Sequence, residues 1–320
     1  MKPITGATRV PNHQNTKQNP FPSERKPLVS IVVPNFNGKR LLKECLDSIE
    51  NLRYRNYEVI VVDNSSTDGS IEMVKKNYPR VRLLVTERMS MACACNRGLA
   101  LARGEVIVPM LNNDLIVERY WLDHLVGALQ QKEVGVVGGK IYRCETTVLN
   151  SAGNMIYWSI ADTQGIGRGE LDVGQFDTPR DVDYVEFPTV RKDVNCRIGP
   201  IDEGYFHYFL DVDYCTTAKE MGYKVMYIPG AVAWHHEAAT IGFNTLRYFY
   251  SQQRDSLRFL LKHSPASMVF YRFWRWSFHM LVLSARNLAR RRIDLVMLQL
   301  KAFTWNILRL NATRRSRRVG

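Results

Sequence analysis

The chain has 320 residues, 45% hydrophobic and 23% charged, with 44 Lys and Arg against 31 Asp and Glu. That much apolar mass excludes a disordered or collagen-like chain, and the length suits one large α/β domain with an appendage, or two domains. The positive excess is confined to residues 247–320, which hold 16 Lys and Arg and two acids, and this argues against a fold that coats nucleic acid.

Residues 1–27 read as a flexible arm, because Pro3, Pro11, Pro20, Pro22 and Pro27 interrupt any helix. The arm lacks an apolar core of the kind a secretory signal needs. The apolar run at Met280–Leu283 is broken by Ser and Arg long before the ~20 residues of a membrane span. Six cysteines without framework spacing point to reduced, packed thiols.

In chain order, β-branched runs predict buried strands at 28–33, 57–62, 81–85, 106–110 and 134–137. Helical spacing between them predicts helices at 41–52, from Ser70, near 92–102 and at 121–129. Strand and helix alternate, which implies a parallel sheet covered by helices on both faces. In such sheets ligands bind beyond the carboxyl ends of the strands. Asp63 follows the second strand directly and Asp114 follows the fourth by a few residues, so both are expected at one crevice. The pattern weakens over 140–180, where glycines suggest loops and short strands over a substrate site. A loop and helix return at 202–222, then short strands at 223–228 and 231–234 that end at His235-His236. Beyond Thr240 the chain reads as helical and basic. The first strand–turn carries no GxGxxG, so a dinucleotide-binding fold is disfavoured.

Five segments occur in order: Val32-Val33-Pro34-Asn35-Phe36-Asn37, Val61-Val62-Asp63-Asn64-Ser65-Ser66-Thr67-Asp68-Gly69-Ser70, Asn96-Arg97-Gly98-Leu99, Leu111-Asn112-Asn113-Asp114 and Asp202-Glu203-Gly204-Tyr205-Phe206. Together, over about residues 28–240, they resemble an inverting family 2 glycosyltransferase of the GT-A type, near the rhamnosyltransferase-like branch. The resemblance implies an α/β GT-A fold at 28–245, with a mainly parallel, Rossmann-like central sheet flanked by helices, and a basic, aromatic-rich helical region at 246–320. It implies that Pro34, Asn35, Asn37, Asp63, Asn64, Ser65, Asn96 and Asn113 bind a nucleotide-sugar donor. It also implies that Asp114, the last acid of a DXD-type element, and His235 hold Mg²⁺ or Mn²⁺. A carboxylate at a strand end suits nucleoside N–H and hydroxyl groups, and a divalent cation neutralises a departing diphosphate.

Inverting transfer needs one carboxylate to take the acceptor's hydroxyl proton. The family offers Glu-Asp before a helix, with Asp as the base. Here Leu210-Asp211 stands in that place, so Asp211 matches the base and Leu210 replaces the Glu. Asp213 reads as a first-turn dipole or capping acid. Asp68 or Thr67 is expected to cap the helix from Ser70. The segment Met89–Cys95 is bulkier than the family's Gly-rich stretch, and Glu186-Phe187-Pro188-Thr189 replaces its Gly-Ala segment.

In Phe270-Tyr271-Arg272-Phe273-Trp274-Arg275-Trp276 aromatics alternate with arginines, and Arg286, Arg290, Arg291, Arg292, Arg314, Arg315, Arg317 and Arg318 follow. This composition suits an interfacial helix on an anionic leaflet. The sequence therefore reads as a sugar transferase, using dTDP-rhamnose or a UDP-sugar and a glycan or lipid-linked acceptor, in cell-surface polysaccharide synthesis. It would act in the cytoplasm, at the inner face of the cytoplasmic membrane. The competing readings are a non-catalytic nucleotide-sugar or glycan-binding homologue and another Rossmann-like transferase.

Overall fold

The computed structural model describes residues 26–236 and 245–316. Residues 1–25 of the expected arm, and Arg317 and Arg318, lie outside the described residues. The elements run β1 (Val29–Asn35), α1 (Lys39–Glu50), β2 (Tyr57–Asp63), α2 (Ser70–Asn77), β3 (Arg82–Val85), α3 (Met91–Leu99), β4 (Val106–Val108), β5 (Leu115–Val117) and α4 (Trp121–Ala128). They continue with β6 (Val134–Arg143), β7 (Leu149–Ser151), β8 (Asn154–Tyr157), β9 (Asp162–Gly165), β10 (Arg180–Asp181), β11 (Thr189–Arg191), α5 (Lys192–Ile198), α6 (Leu210–Glu220) and β12 (Lys224–His235). Four helices close the described chain: α7 (Leu246–His263), α8 (Val269–Ala289), α9 (Ile293–Leu308) and α10 (Leu310–Arg315).

The main sheet has the order β10-β12-β6-β11-β4-β1-β2-β3. The four strands β3, β2, β1 and β4 are parallel, as their alternation with helices predicts. The fifth predicted strand, β6, does not extend that run. The short β11 lies between β4 and β6, antiparallel to both. The sheet is therefore mixed on this side. The two strands expected at 223–228 and 231–234 form one strand, β12, with a register shift between Ile228 and Val232. Pro229-Gly230 breaks the sequence pattern there, but a bulge absorbs both residues without ending the strand.

Alternation on β1 sets the layers. Val29, Ile31 and Val33 pack with Leu42, Cys45, Leu46 and Ile49 of α1. Val32 points the other way, to Ile60, Val62 and Ala94 of α3. A Cβ on Gly98 would come within 2.4 Å of Val32 Cγ1, so the small residue lets α3 lie close on β1. A separate apolar cluster joins α6 and β12 to Leu257, Phe259 and Leu260 of α7 and to Trp276 of α8. No helix among the described residues is long and apolar enough to cross a membrane.

Candidate functional site

Register builds one side of the site. Asn35 and Asp63 are Cα partners at the carboxyl ends of β1 and β2. Asn35 Nδ2 donates to Asp63 Oδ2 (2.8 Å), and Asn35 Oδ1 accepts from Asn113 Nδ2 (2.6 Å). The Ser66 backbone N–H donates to Asp63 Oδ1 (2.8 Å). Asp63 thus reaches Asp114's neighbour through a single amide. A Cβ on Gly38 would fall 2.2 Å from Asn113 Nδ2, so glycine is required for this approach. Asp63 is 0% exposed. Its carboxylate braces Asn35 and the 64–68 loop.

The remaining residues expected to hold the donor are placed as follows. Pro34 is half-buried beside Asn35. Asn37 is exposed in the left-handed conformation (φ 48°), and its Oδ1 accepts from the Thr67 N–H (2.8 Å). Asn64 exchanges both amide bonds with the Met89 backbone (2.7 and 2.8 Å), and Ser65 Oγ donates to the Thr86 carbonyl (2.6 Å). Asn96 does the same with the Ile201 backbone (2.9 Å each) and donates to Glu203 Oε1 (2.9 Å). Asn64, Ser65 and Asn96 therefore fix loops with their side chains. Arg88, not singled out from the sequence, lies over the Phe36 ring at 4.5 Å. Asp68 accepts from the Ser70 N–H (3.0 Å) as expected of a cap, although Gly69 is the residue at the cap position.

Asp114 and His235, far apart in the chain, come together. β5 runs antiparallel to β12 with His235 opposite Leu115, and the His236 N–H donates to the Asp114 carbonyl (3.0 Å). His235 Nε2 lies 3.2 Å from Asp114 Oδ1. That oxygen is buried and accepts no well-aligned hydrogen bond. An edge-on contact with Phe187, ring centroids 5.2 Å apart, steadies the imidazole. His236 points elsewhere, to Glu44 Oε2 (3.0 Å) and Cys144 Sγ (3.1 Å). Among the described residues no group of three or more His, Cys, Asp or Glu could hold a metal. A cation here would have two protein ligands and would need oxygens from substrate and water. That fits Mg²⁺ or Mn²⁺, which keep waters and share phosphate oxygens.

Asp211 is the second residue of α6 and is half-buried. The preceding Phe209 is held at φ 63°, a left-handed strain of the kind that collects at functional positions. Burial, with the nearby Glu186 charge, pushes the Asp211 carboxyl up to about 7, against the pull of the Val212 N–H (2.9 Å). Glu186 adjoins Phe187, the residue against His235, so one loop borders both Asp211 and the Asp114–His235 pair. His207, just before α6, is depressed to about 4 by burial and by Arg247, with the Asp114 charge acting the other way. It is a neutral imidazole at pH 7.

Asp213 is not a simple first-turn acid. It is buried, and Lys262 Nζ (2.7 Å), His263 Nε2 (2.7 Å) and Tyr205 Oη (2.8 Å) surround it. Burial alone would raise its carboxyl, but Lys262 and His263 hold it well below the usual range. Lys262 and Arg258 also pair with Asp202 (2.9 and 2.8 Å). Asp255, fully buried in α7, accepts the backbone N–H groups of Phe206, His207 and Tyr208 at 3.0–3.1 Å. None of these α7 partners was expected from the sequence. Their signal was charged residues at 255, 258 and 262, three and four apart along one helix.

This sheet, with its strand-end acids, is a GT-A fold. Residues 30–179, just under half of the chain, match the family model for glycosyl transferase family 2. The chain is 36% identical over 137 residues to the glycosyltransferase GlyG of Streptococcus pneumoniae, covering 41% of this chain and 43% of that one. It is 29% identical over 236 residues to the O-antigen biosynthesis protein RfbC of Myxococcus xanthus, covering 69% and 18%. The chain spans less than half the length of these curated relatives. Among solved structures it resembles the mannosyltransferase PcManGT of Pyrobaculum calidifontis, determined with GDP-Man and Mn²⁺ (TM-score 0.55, 18% identity, 92% of this chain and 85% of that one). At that identity the likeness shows the fold alone.

Proposed function

We propose that the protein is an inverting, metal-dependent glycosyltransferase acting in polysaccharide biosynthesis. It takes a sugar from a nucleoside diphosphate donor, dTDP-rhamnose or a UDP-sugar, and passes it to a glycan or lipid-linked acceptor at the inner face of an anionic membrane. The observation that carries this reading is the meeting of Asp114 with His235 (3.2 Å) beside the loop that borders Asp211, whose carboxyl is raised to about 7. Asp114 and His235 would hold Mg²⁺ or Mn²⁺. The bound cation would supply charge neutralisation for the departing diphosphate.

The chain's own residues do the rest. Asn35, Asn113 and the 64–68 loop, braced by Asp63, shape the nucleoside end. Asp211 accepts the proton of the acceptor hydroxyl as its oxygen attacks the anomeric carbon, and the bond to the diphosphate breaks on the opposite face. A base near 7 can both ionise and accept a proton at neutral pH. Leu210, where the family has Glu, is buried and leaves Glu186 as the acid that tunes Asp211.

The test is a screen of UDP-, dTDP- and GDP-sugars by thermal shift with and without Mn²⁺, followed by mass spectrometry of products. A Mn²⁺-dependent shift with one donor, and turnover lost in Asp211→Asn with that shift retained, is the expected result. No shift with any donor overturns the reading. A shift without turnover in the unaltered protein would leave a nucleotide-sugar-binding homologue.

A further inference from the structure

Helices α8 and α9 each bury one face and leave the other uncovered. α8 turns Phe273, Trp276 and Met280 inward, and Trp276 Nε1 donates to Ser256 Oγ of α7 (3.3 Å). On its opposite face Phe270, Trp274, Phe278 and Leu281 recur every three or four residues, exposed by 83, 72, 61 and 68%. α9 repeats the pattern. Gln299, Ala302 and Asn306 are buried, while Ile293, Met297, Leu300 and Leu308 are exposed. The two helices pack together through Ser284 Oγ and Gln299 Oε1 (2.8 Å) and the rings of Phe273 and Phe303. Apolar stripes of this kind on neighbouring helices mark an interaction surface.

Charge identifies the occupant. Residues 265–316 contain ten Lys and Arg and one acid. Arg275 and Arg286 flank the α8 stripe, Lys301 flanks that of α9, and Arg290, Arg291 and Arg292 fill the turn between the helices. A second copy of this chain would bring like charge against like. Neither helix can span a bilayer.

We propose that the outward faces of α8 and α9 lie in the headgroup–acyl boundary of an anionic lipid leaflet, with both helices along the membrane plane. Trp274, Phe270 and Phe278 enter the boundary, and the flanking arginines meet anionic headgroups. This deepens the acceptor half of the function proposed above and names the surface that would hold the enzyme beside a lipid-linked acceptor. The surface itself does not depend on the donor.

The full-length protein should float with phosphatidylcholine vesicles containing phosphatidylglycerol, and more weakly with phosphatidylcholine alone. Joint substitution Trp274→Glu and Phe278→Glu, both exposed, should lower the partition coefficient roughly tenfold or more, with donor-induced thermal shift unchanged. Lipids brominated along the acyl chain should quench a fluorescence component that Trp274→Phe removes. Asp211→Asn should bind vesicles normally, so failure of the catalytic reading and failure of this one are separate results. The proposal is overturned by an absence of vesicle binding. It is equally overturned by binding that the double Glu variant retains and salt alone abolishes, or by self-association that the same double variant dissolves.

Discussion

At the scale of single residues the most informative group is Asp211. A carboxyl raised to about 7 by burial and Glu186 gives a pH profile whose sign is fixed. As the proposed base, Asp211 must be ionised for turnover, so kcat/KM should climb as pH rises to about 7 and level off above it. Glu186→Gln removes the neighbouring charge and should move that inflection to lower pH. An inflection that stays put would remove Glu186 from the tuning. Asp211→Asn should reduce turnover by about 10²–10⁴, the usual worth of a general base. The same variant should be more stable than the parent at pH 7. A group whose folded value is raised favours the unfolded state once pH exceeds its ordinary value near 3.9, and removing it removes that penalty, on the order of a few kcal/mol here. Loss of activity with a higher Tm would separate a catalytic acid from a structural one.

At the scale of elements the decisive contact is α6 against α7. Asp213 and Asp202 leave water only because Lys262, His263 and Arg258 accompany them. Removing one partner of a buried pair strands the other, which costs about 3–5 kcal/mol. Lys262→Met should therefore unfold the protein at markedly lower denaturant, whereas Lys26→Met, whose pair with Asp123 is exposed, should change little. The pH dependence follows from the same network. Burial opposes a proton on His263, yet Asp213 and Glu220 raise it above its ordinary value. Its contribution is complete below about 6.5 and fades as pH rises through the raised value. Asp213, held low, contributes above about 3.9 and loses this as pH falls. Thermal melts should show the fold weakening on both sides of that window, and His263→Gln should flatten the alkaline side. A stability that keeps rising above pH 7 would contradict this account.

At the scale of the whole molecule, what the sequence revealed and what it hid have one cause. The strands β1 to β4 and the places of Asp63 and Asp114 at or just beyond strand ends were legible because each depends on short patterns next to a strand end. β11 was not, since three residues carry no periodicity, and neither was the continuity of β12 through Pro229-Gly230. The partners of Asp213 and Asp202 lie some 50 residues away on α7, and residues this far apart leave no local pattern. The net charge of 247–320 hid them as well, because cations buried against the core look the same in a composition as cations on the surface. The expected boundary near 245 is crossed by these pairs and by Asp255, whose carboxyl burial pushes up to about 6 while it gathers three backbone N–H groups of the 206–208 loop. That loop leads into Asp211. Asp255→Ala should therefore reach the site as well as stability, leaving three buried donors unpaired just before the proposed base. The expected result is a fall in kcat larger than any change in donor affinity, with Asp255→Asn partly restoring it through its remaining carbonyl oxygen. If kcat is unchanged while Tm drops, Asp255 serves the fold alone and the loop keeps its shape without it.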